Sequence, residues 1–194
     1  NFNVLKTVGV YGPNNVGKTC LVKCIRAIKH VLLDKKSGLV PNIFSDNEVC
    51  QLGVTFLAYG RKFSYDFWYN AKTNEYVYES FSEMLKDHYG NEKEVNWLKR
   101  DTINDVYYCT DEDVQAMMAI ISKNNLFCYL VDISKFECLK EMKDILVGFA
   151  EKIDIINMNN IPMKHTIELM KNRNNLQEKI VEFIKNADLY MDDF

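Results

Sequence analysis

An α/β fold is what this sequence predicts, and three observations predict it. The segment Val4–Tyr11 is rich in β-branched and aromatic residues and runs into a glycine-bearing loop, after which the apolar period becomes that of a helix. From Leu52 to Tyr69 apolar and polar residues alternate, as on half-buried strands. From Ser134 to about Asn157, Phe136, Leu139, Met142, Ile145, Leu146, Phe149 and Ile153 recur at helical spacing.

The elements follow in order. Val4–Tyr11 reads as a buried strand. Beyond the loop, Leu21, Ile25, Ile28 and Leu32 fall on one helical face with Val22 beside them, while Lys23, Arg26 and Lys29 lie mostly elsewhere. Asp34-Lys35-Lys36-Ser37-Gly38 and Pro41 stop that helix. Leu52, Val54 and Phe56 alternate, Tyr59-Gly60-Arg61 turns the chain, and Phe63, Tyr65, Phe67 and Tyr69 alternate back. A turn over Asn70–Asn74 leads to Tyr76-Val77-Tyr78 and on toward Phe81, an antiparallel meander. Its aromatic face is assigned to the core, because no ribonucleoprotein signature accompanies it. Gly90-Asn91 marks a further turn, and Val95–Leu98 and Val106–Cys109 are candidate added strands. Thr110-Asp111-Glu112-Asp113 has the character of a helix start, opening a short helix through Met117, Met118 and Ile121. After Asn159-Asn160-Ile161-Pro162, two helices are expected over Met163–Lys171 and Leu176–Leu189.

Bulk properties narrow the functional classes. A chain of 194 residues accommodates one substantial core, or a core with a small subdomain. A net charge of −3 gives no global attraction to nucleic acid or anionic membrane, although a local basic patch stays open. No apolar run approaches the ~20 residues that cross a bilayer, and no signal segment opens the chain, so a cytoplasmic protein without a membrane partner is expected. The six cysteines, at 20, 24, 50, 109, 128 and 138, show neither zinc spacing nor disulfide density, and are expected to be reduced and mostly buried. Cys20 and Cys24 share a helical face at a separation that disfavours a disulfide. His30, His88 and His165 lie too far apart in sequence to suggest a metal cluster. The chain begins at Asn1 rather than Met and stops without a closing strand, so the front portion of a longer protein is expected.

The chemistry is concentrated in Gly12-Pro13-Asn14-Asn15-Val16-Gly17-Lys18-Thr19, which matches G-x-x-x-x-G-K-[ST] at every constrained position between a strand pattern and a helix pattern. Glycines at 12 and 17 let successive amides turn inward around phosphate oxygens. A helix starting near Lys18 adds unpaired amides and the positive end of its dipole. The nucleotide-binding set is therefore Gly12, Pro13, Asn14, Asn15, Val16, Gly17, Lys18, Thr19 and Cys20. Lys18 is the candidate catalytic group, reaching the β- and γ-phosphates, and the Thr19 hydroxyl is the candidate Mg²⁺ ligand.

Hydrolysis needs a second, acidic element. Leu126-Phe127-Cys128-Tyr129-Leu130-Val131-Asp132 offers an apolar run ending in Asp, but Ile133 stands where a Glu would follow. Asp132 is thus a candidate metal-side carboxylate, and no catalytic base is nominated. A GTPase lacks support: Asp101-Thr102-Ile103-Asn104 is not D-x-x-G, and Asn157-Met158-Asn159-Asn160 is not N-K-x-D. A nucleotide kinase is the enzyme-class alternative, disfavoured by the large meander and the lack of an arginine-rich lid.

Three stretches resemble bacterial AAA-family ATPases of the ABC and SMC-like class, the ATP/GTP-phosphatase type of abortive-infection and other phage-defence systems. They are Leu5–Thr19, then Leu52–Phe56 through Gly60–Phe67, and Ile184–Leu189. Only the first is a specific motif. The resemblance implies a P-loop NTPase fold with an ABC/SMC-head-like core, an antiparallel β subdomain and a helical insertion. It assigns residues 1–46 to the strand and helix of the core, 47–109 to the β subdomain and 110–194 to the helical region. It also implies Mg²⁺ with ATP, a homodimer or higher oligomer assembled through ATPase heads, and a partner effector, with nucleic acid left open. No L-S-G-G-like signature, D-E pair or late switch histidine is found, and the family places these toward the C-terminus. On that reading Asp132 lies in the helical insertion and is structural. The rival is a nucleotide-gated interaction module without turnover.

Overall fold

The computed structural model describes residues 8–13, 17–35, 39–40, 48–130, 135–155, 178–179 and 182, without the side chains of 128 and 130. The chain falls into two compact units, Asn1–Asp154 and Ile155–Phe194, and the elements below belong to the first. They are α1 (Lys18–Leu32), β1 (Val49–Ala58), β2 (Arg61–Asn70), β3 (Glu75–Lys86), β4 (Glu92–Asp101), β5 (Val106–Cys109), α2 (Glu112–Met118), the single turn α3 (Phe127–Leu130) and α4 (Glu137–Glu151). The fold is mixed α and β, with one five-stranded antiparallel sheet in the order β1-β2-β3-β4-β5. Among the described residues no helix is long and apolar enough to cross a membrane.

Period-two patterning builds this sheet. Tyr59 and Gly60, both at positive φ (52° and 76°), form the two-residue turn that joins β1 to β2, the geometry that suits twisted antiparallel strands. One register row crosses all five strands as Val54, Tyr65, Phe81, Leu98 and Cys109. Phe63, Tyr65, Phe67 and Phe81 are fully buried, so the aromatic face of the meander is core, as expected. Each such ring contributes roughly 1.5–3 kcal/mol by leaving water. The opposite side of β1 shows Gln51, Gly53, Thr55 and Leu57 to solvent.

The helices cover the apolar face. In α4, Leu139, Met142, Ile145, Leu146 and Ala150 are buried, and Phe149 stacks on Phe56 at 4.1 Å between ring centroids. The C-terminal half of α1 joins the same cluster through Ile28, Val31 and Leu32. Arg61 clamps the corner: Nε and Nη2 donate to Glu83 at 2.7 and 2.6 Å, Nη1 donates to Glu141 at 2.8 Å, and the guanidinium lies 5.0 Å from the Phe63 and Trp97 ring centroids.

A second row, Leu52, Phe67, Glu79, Arg100 and Tyr107, carries charge into the core. Glu79 and Arg100 are both fully buried. Glu79 accepts from Arg100 Nη2 at 3.2 Å, from the Tyr65 hydroxyl at 3.1 Å and from the Phe127 amide at 2.8 Å. Arg100 also donates to the carbonyls of Ser122 and Asn125, which pins the 122–127 loop to the sheet.

Several expectations are corrected. Val8–Tyr11 is not a strand: no strand among the described residues pairs with it, and Val8, Val10 and Tyr11 are 68%, 53% and 93% exposed. A β-branched stretch becomes a strand only where a neighbour supplies the ladder. Val4–Thr7 lie outside the described residues. Phe127–Leu130 is a helical turn rather than a strand, because a short apolar run has no period of its own to choose between the two and here the Phe127 amide is held by Glu79. The predicted helix over 134–157 narrows to Glu137–Glu151, and the one through Ile121 ends at Met118. Of the thiols described, only Cys109 is buried; Cys24, Cys50 and Cys138 are half-buried, Cys20 is exposed, and all five are free. The helix over Met163–Lys171 lies outside the described residues, and Leu176–Leu189 is described only at 178, 179 and 182, which are helical.

Candidate functional site

The glycine-bearing loop leads into α1 where the sequence places the helix start. Gly17 is its N-cap, in the left-handed region with φ 91° and ψ 6°, a conformation that a Cβ would strain. The first turn closes through the amides of Cys20 and Leu21 onto the Gly17 carbonyl, at 2.9 and 3.3 Å. Gly17 offers no side chain to cap this end, none among the described residues does so, and the first turn holds no acidic residue.

α2 shows what a self-sufficient helix start looks like. There Asp111 accepts from the amides of Asp113 and Val114 at 3.1 and 3.2 Å, and Glu112 and Asp113 set negative charge against the dipole. Among the described residues α1 shows neither device.

Lys18 completes the arrangement. Its ammonium turns back and donates to the Gly12 carbonyl at 2.6 Å and to the Pro13 carbonyl, spanning the two ends of the loop. Thr19 and Cys20 are exposed on the first turn. The structure therefore brings Gly12, Pro13, Gly17, Lys18, Thr19 and Cys20 into one neighbourhood; Asn14, Asn15 and Val16 lie outside the described residues. These groups fit a magnesium nucleotide by their chemistry: an ammonium, a hydroxyl and uncapped amides, with no carboxylate in the first turn to repel phosphate.

The flanks of this site are apolar and open. In the N-terminal half of α1, Leu21, Val22 and Ile25 are 50%, 44% and 38% exposed, whereas Ile28 and Leu32 on the same predicted face are buried. The expected single apolar stripe is thus divided, with its second half in the core and its first half, beside the loop, in solvent.

No acidic partner is brought to the loop among the described residues. Asp132 lies outside them. Among the described residues no group of three His, Cys, Asp or Glu side chains is placed to hold a metal ion. The residues that sequence reasoning missed are Glu79 and Arg100. Glu79 is one of three glutamates in β3 and Arg100 stands between Lys99 and Asp101 at the end of β4, so only the register singles them out as a pair.

Comparison with protein-family models, curated proteins and solved structures finds no match.

Proposed function

We propose that this chain is the nucleotide-binding portion of a Mg²⁺-dependent ATPase head of P-loop type. The observation that carries the reading is the uncapped, acid-free start of α1 directly after Gly17, with the Lys18 ammonium folded across the loop. In this reading the amides from Asn14 to Cys20 wrap the phosphates, Lys18 moves from the loop carbonyls to the β- and γ-phosphates, and Thr19 holds the metal. Bound Mg²⁺ supplies charge neutralisation between phosphate oxygens. The open apolar residues beside the loop support a head in which further apolar elements cover α1.

The finer reading is an ABC/SMC-like head of a phage-defence complex, dimerising around ATP and controlling an effector. It rests on the sequence likeness of the loop and the β hairpin. Adenine over guanine follows from that likeness and from the missing N-K-x-D.

A second reading, nucleotide binding without turnover, is favoured by one observation: Phe127–Leu130 is helical, so the apolar run before Asp132 is not the strand that a metal-side carboxylate follows. Single-turnover hydrolysis at high protein concentration separates the two.

The test of the site is a Mg·ATP titration of the wild-type chain and of Lys18→Ala. Losing a charge-assisted phosphate contact costs about 2 kcal/mol, or roughly thirtyfold in affinity. Unchanged affinity in Lys18→Ala overturns the site assignment.

A further inference from the structure

β1 stands at one edge of the sheet, and no strand among the described residues pairs with its other side. It runs for 10 residues and pairs with β2 without a bulge. Natural edge strands are blunted by charge, proline, bulges or shortness. β5, at the opposite edge, has only 4 residues. β1 has none of these protections, since its sequence VCQLGVTFLA holds no charged residue and no proline. β2, β3 and β4, by contrast, each carry charges of both signs.

The turn at Tyr59-Gly60 fixes which backbone groups face that edge. In a two-residue hairpin the flanking pair, here Ala58 and Arg61, exchanges hydrogen bonds, and bonding then alternates along the ladder. Leu52, Val54 and Phe56 therefore bond toward β2, and the N–H and C=O groups of Gln51, Gly53, Thr55 and Leu57 point outward. All four of these residues are exposed. On the core face Phe56 is buried, but Leu52 and Val54 are only half-buried although they pack against the core. An added strand gives both of them an apolar neighbour beyond the edge.

We propose that this chain forms a two-fold symmetric dimer in which β1 pairs antiparallel with β1 of a second copy, making one continuous sheet. Keeping the apolar side chains on one face restricts the register to shifts of two residues. The symmetric register centred on Val54 pairs the most residues, from Cys50 to Ala58. It sets Val54 against the partner's Val54, Leu52 against the partner's Phe56 and Gly53 against the partner's Thr55. An uncharged strand meets its own copy without like-charge repulsion, which a strand such as β4 does not. The contact is made by β1 alone and needs no nucleotide at the Gly12–Thr19 loop.

Sedimentation equilibrium and amide hydrogen exchange on the intact chain, without nucleotide, test this. The wild type is expected to pass from monomer to dimer as its concentration rises. Association is expected to slow exchange at Gln51, Gly53, Thr55 and Leu57 by about tenfold or more, while the amides of Leu52, Val54 and Phe56, already bonded to β2, keep the protection they have. Thr55→Pro removes an outward N–H, which an edge strand tolerates, and is expected to stay monomeric with an unchanged circular dichroism spectrum. Thr55→Lys puts a charge on the same exposed position without touching the backbone, and is expected to weaken association about tenfold at low salt. A wild type that stays monomeric, a dimer that forms only with Mg·ATP, either Thr55 variant dimerising like the wild type, or a dimer with unaltered exchange at the four outward amides each overturns the proposal.

Discussion

Removing the Glu79 carboxylate tests how the charged row holds the 122–127 loop to the sheet. In Glu79→Ala, Arg100 stays fully buried with its counter-charge gone. Its Nε has no partner among the described residues to begin with, so only the carbonyls of Ser122 and Asn125, at 3.4 and 2.9 Å, remain for the guanidinium. The Phe127 amide and Tyr65 hydroxyl lose their acceptor as well. Breaking one side of a buried ion pair costs about 3–5 kcal/mol, a large share of the ~5–15 kcal/mol that holds a domain folded. The double replacement Glu79→Leu with Arg100→Leu removes both charges and is expected to cost less than either single change. Urea unfolding followed by circular dichroism, extrapolated to water, measures all of these. A loss under about 1 kcal/mol in Glu79→Ala, or strict additivity in the double variant, refutes the reasoning. Burial pushes the Glu79 carboxyl above the usual glutamate range, while Arg100, the Phe127 amide and the Tyr65 hydroxyl pull it back. A raised folded value means the native state holds the proton more firmly. The associated stability is therefore complete below the unfolded value of 4.5 and is lost as pH climbs through the folded one, a slope that Glu79→Ala should lack.

The remaining predictions concern single elements. Asp111→Ala removes the α2 cap and should cost about 1 kcal/mol in the same unfolding assay, with Asp111→Asn close to wild type. Burial raises the Asp66 carboxyl, opposed by the Ser64 hydroxyl and reinforced by Glu94, so its ionisation disfavours the native state. Asp66→Asn is expected to raise the melting temperature at pH 7 and to leave it unchanged at pH 3, below the ordinary aspartate value of 3.8. Ile28→Ala should cost about 2–5 kcal/mol. Ile25→Gln, three residues earlier on the same helix, should cost less than Ile28→Ala, because that side chain is partly in water.

The meander was legible because its signals are local. Alternation from Leu52 to Tyr69, the Tyr59-Gly60 turn and the apolar Val95–Leu98 and Val106–Cys109 stretches each state their structure within a few residues. The start of α2 was legible for the same reason, since Asp111 reaches amides only two and three residues away. The failures share the opposite property. Val8–Tyr11 carries strand propensity without a described partner, and Phe127–Leu130 is too short to show a period. Glu79 and Arg100 lie 21 residues apart, and only the β3–β4 register sets them side by side.

The glycine-bearing loop is a separate case, since its proposed phosphate role is read from the pattern alone. A backbone cradle needs only glycines, a helix start and a lysine within a dozen residues, so its pattern can be read without knowing the rest of the fold. The groups that turn binding into hydrolysis are set by long-range geometry, and none is brought to Lys18 by the described residues. The energetics of α1 lead in the same direction. Burying Leu21, Val22 and Ile25 fully is worth about 1.5–3 kcal/mol apiece, less what their present partial burial already supplies. The sum is comparable to or larger than the single phosphate contact proposed for Lys18. On the proposed reading, an apolar surface that covered that half of α1 would contribute as much to fixing the loop as the nucleotide would. Nucleotide affinity measured on this chain by itself is then a lower bound, and it should rise on covering α1 in the wild type but not in a variant with Leu21, Val22 and Ile25 all replaced by Gln.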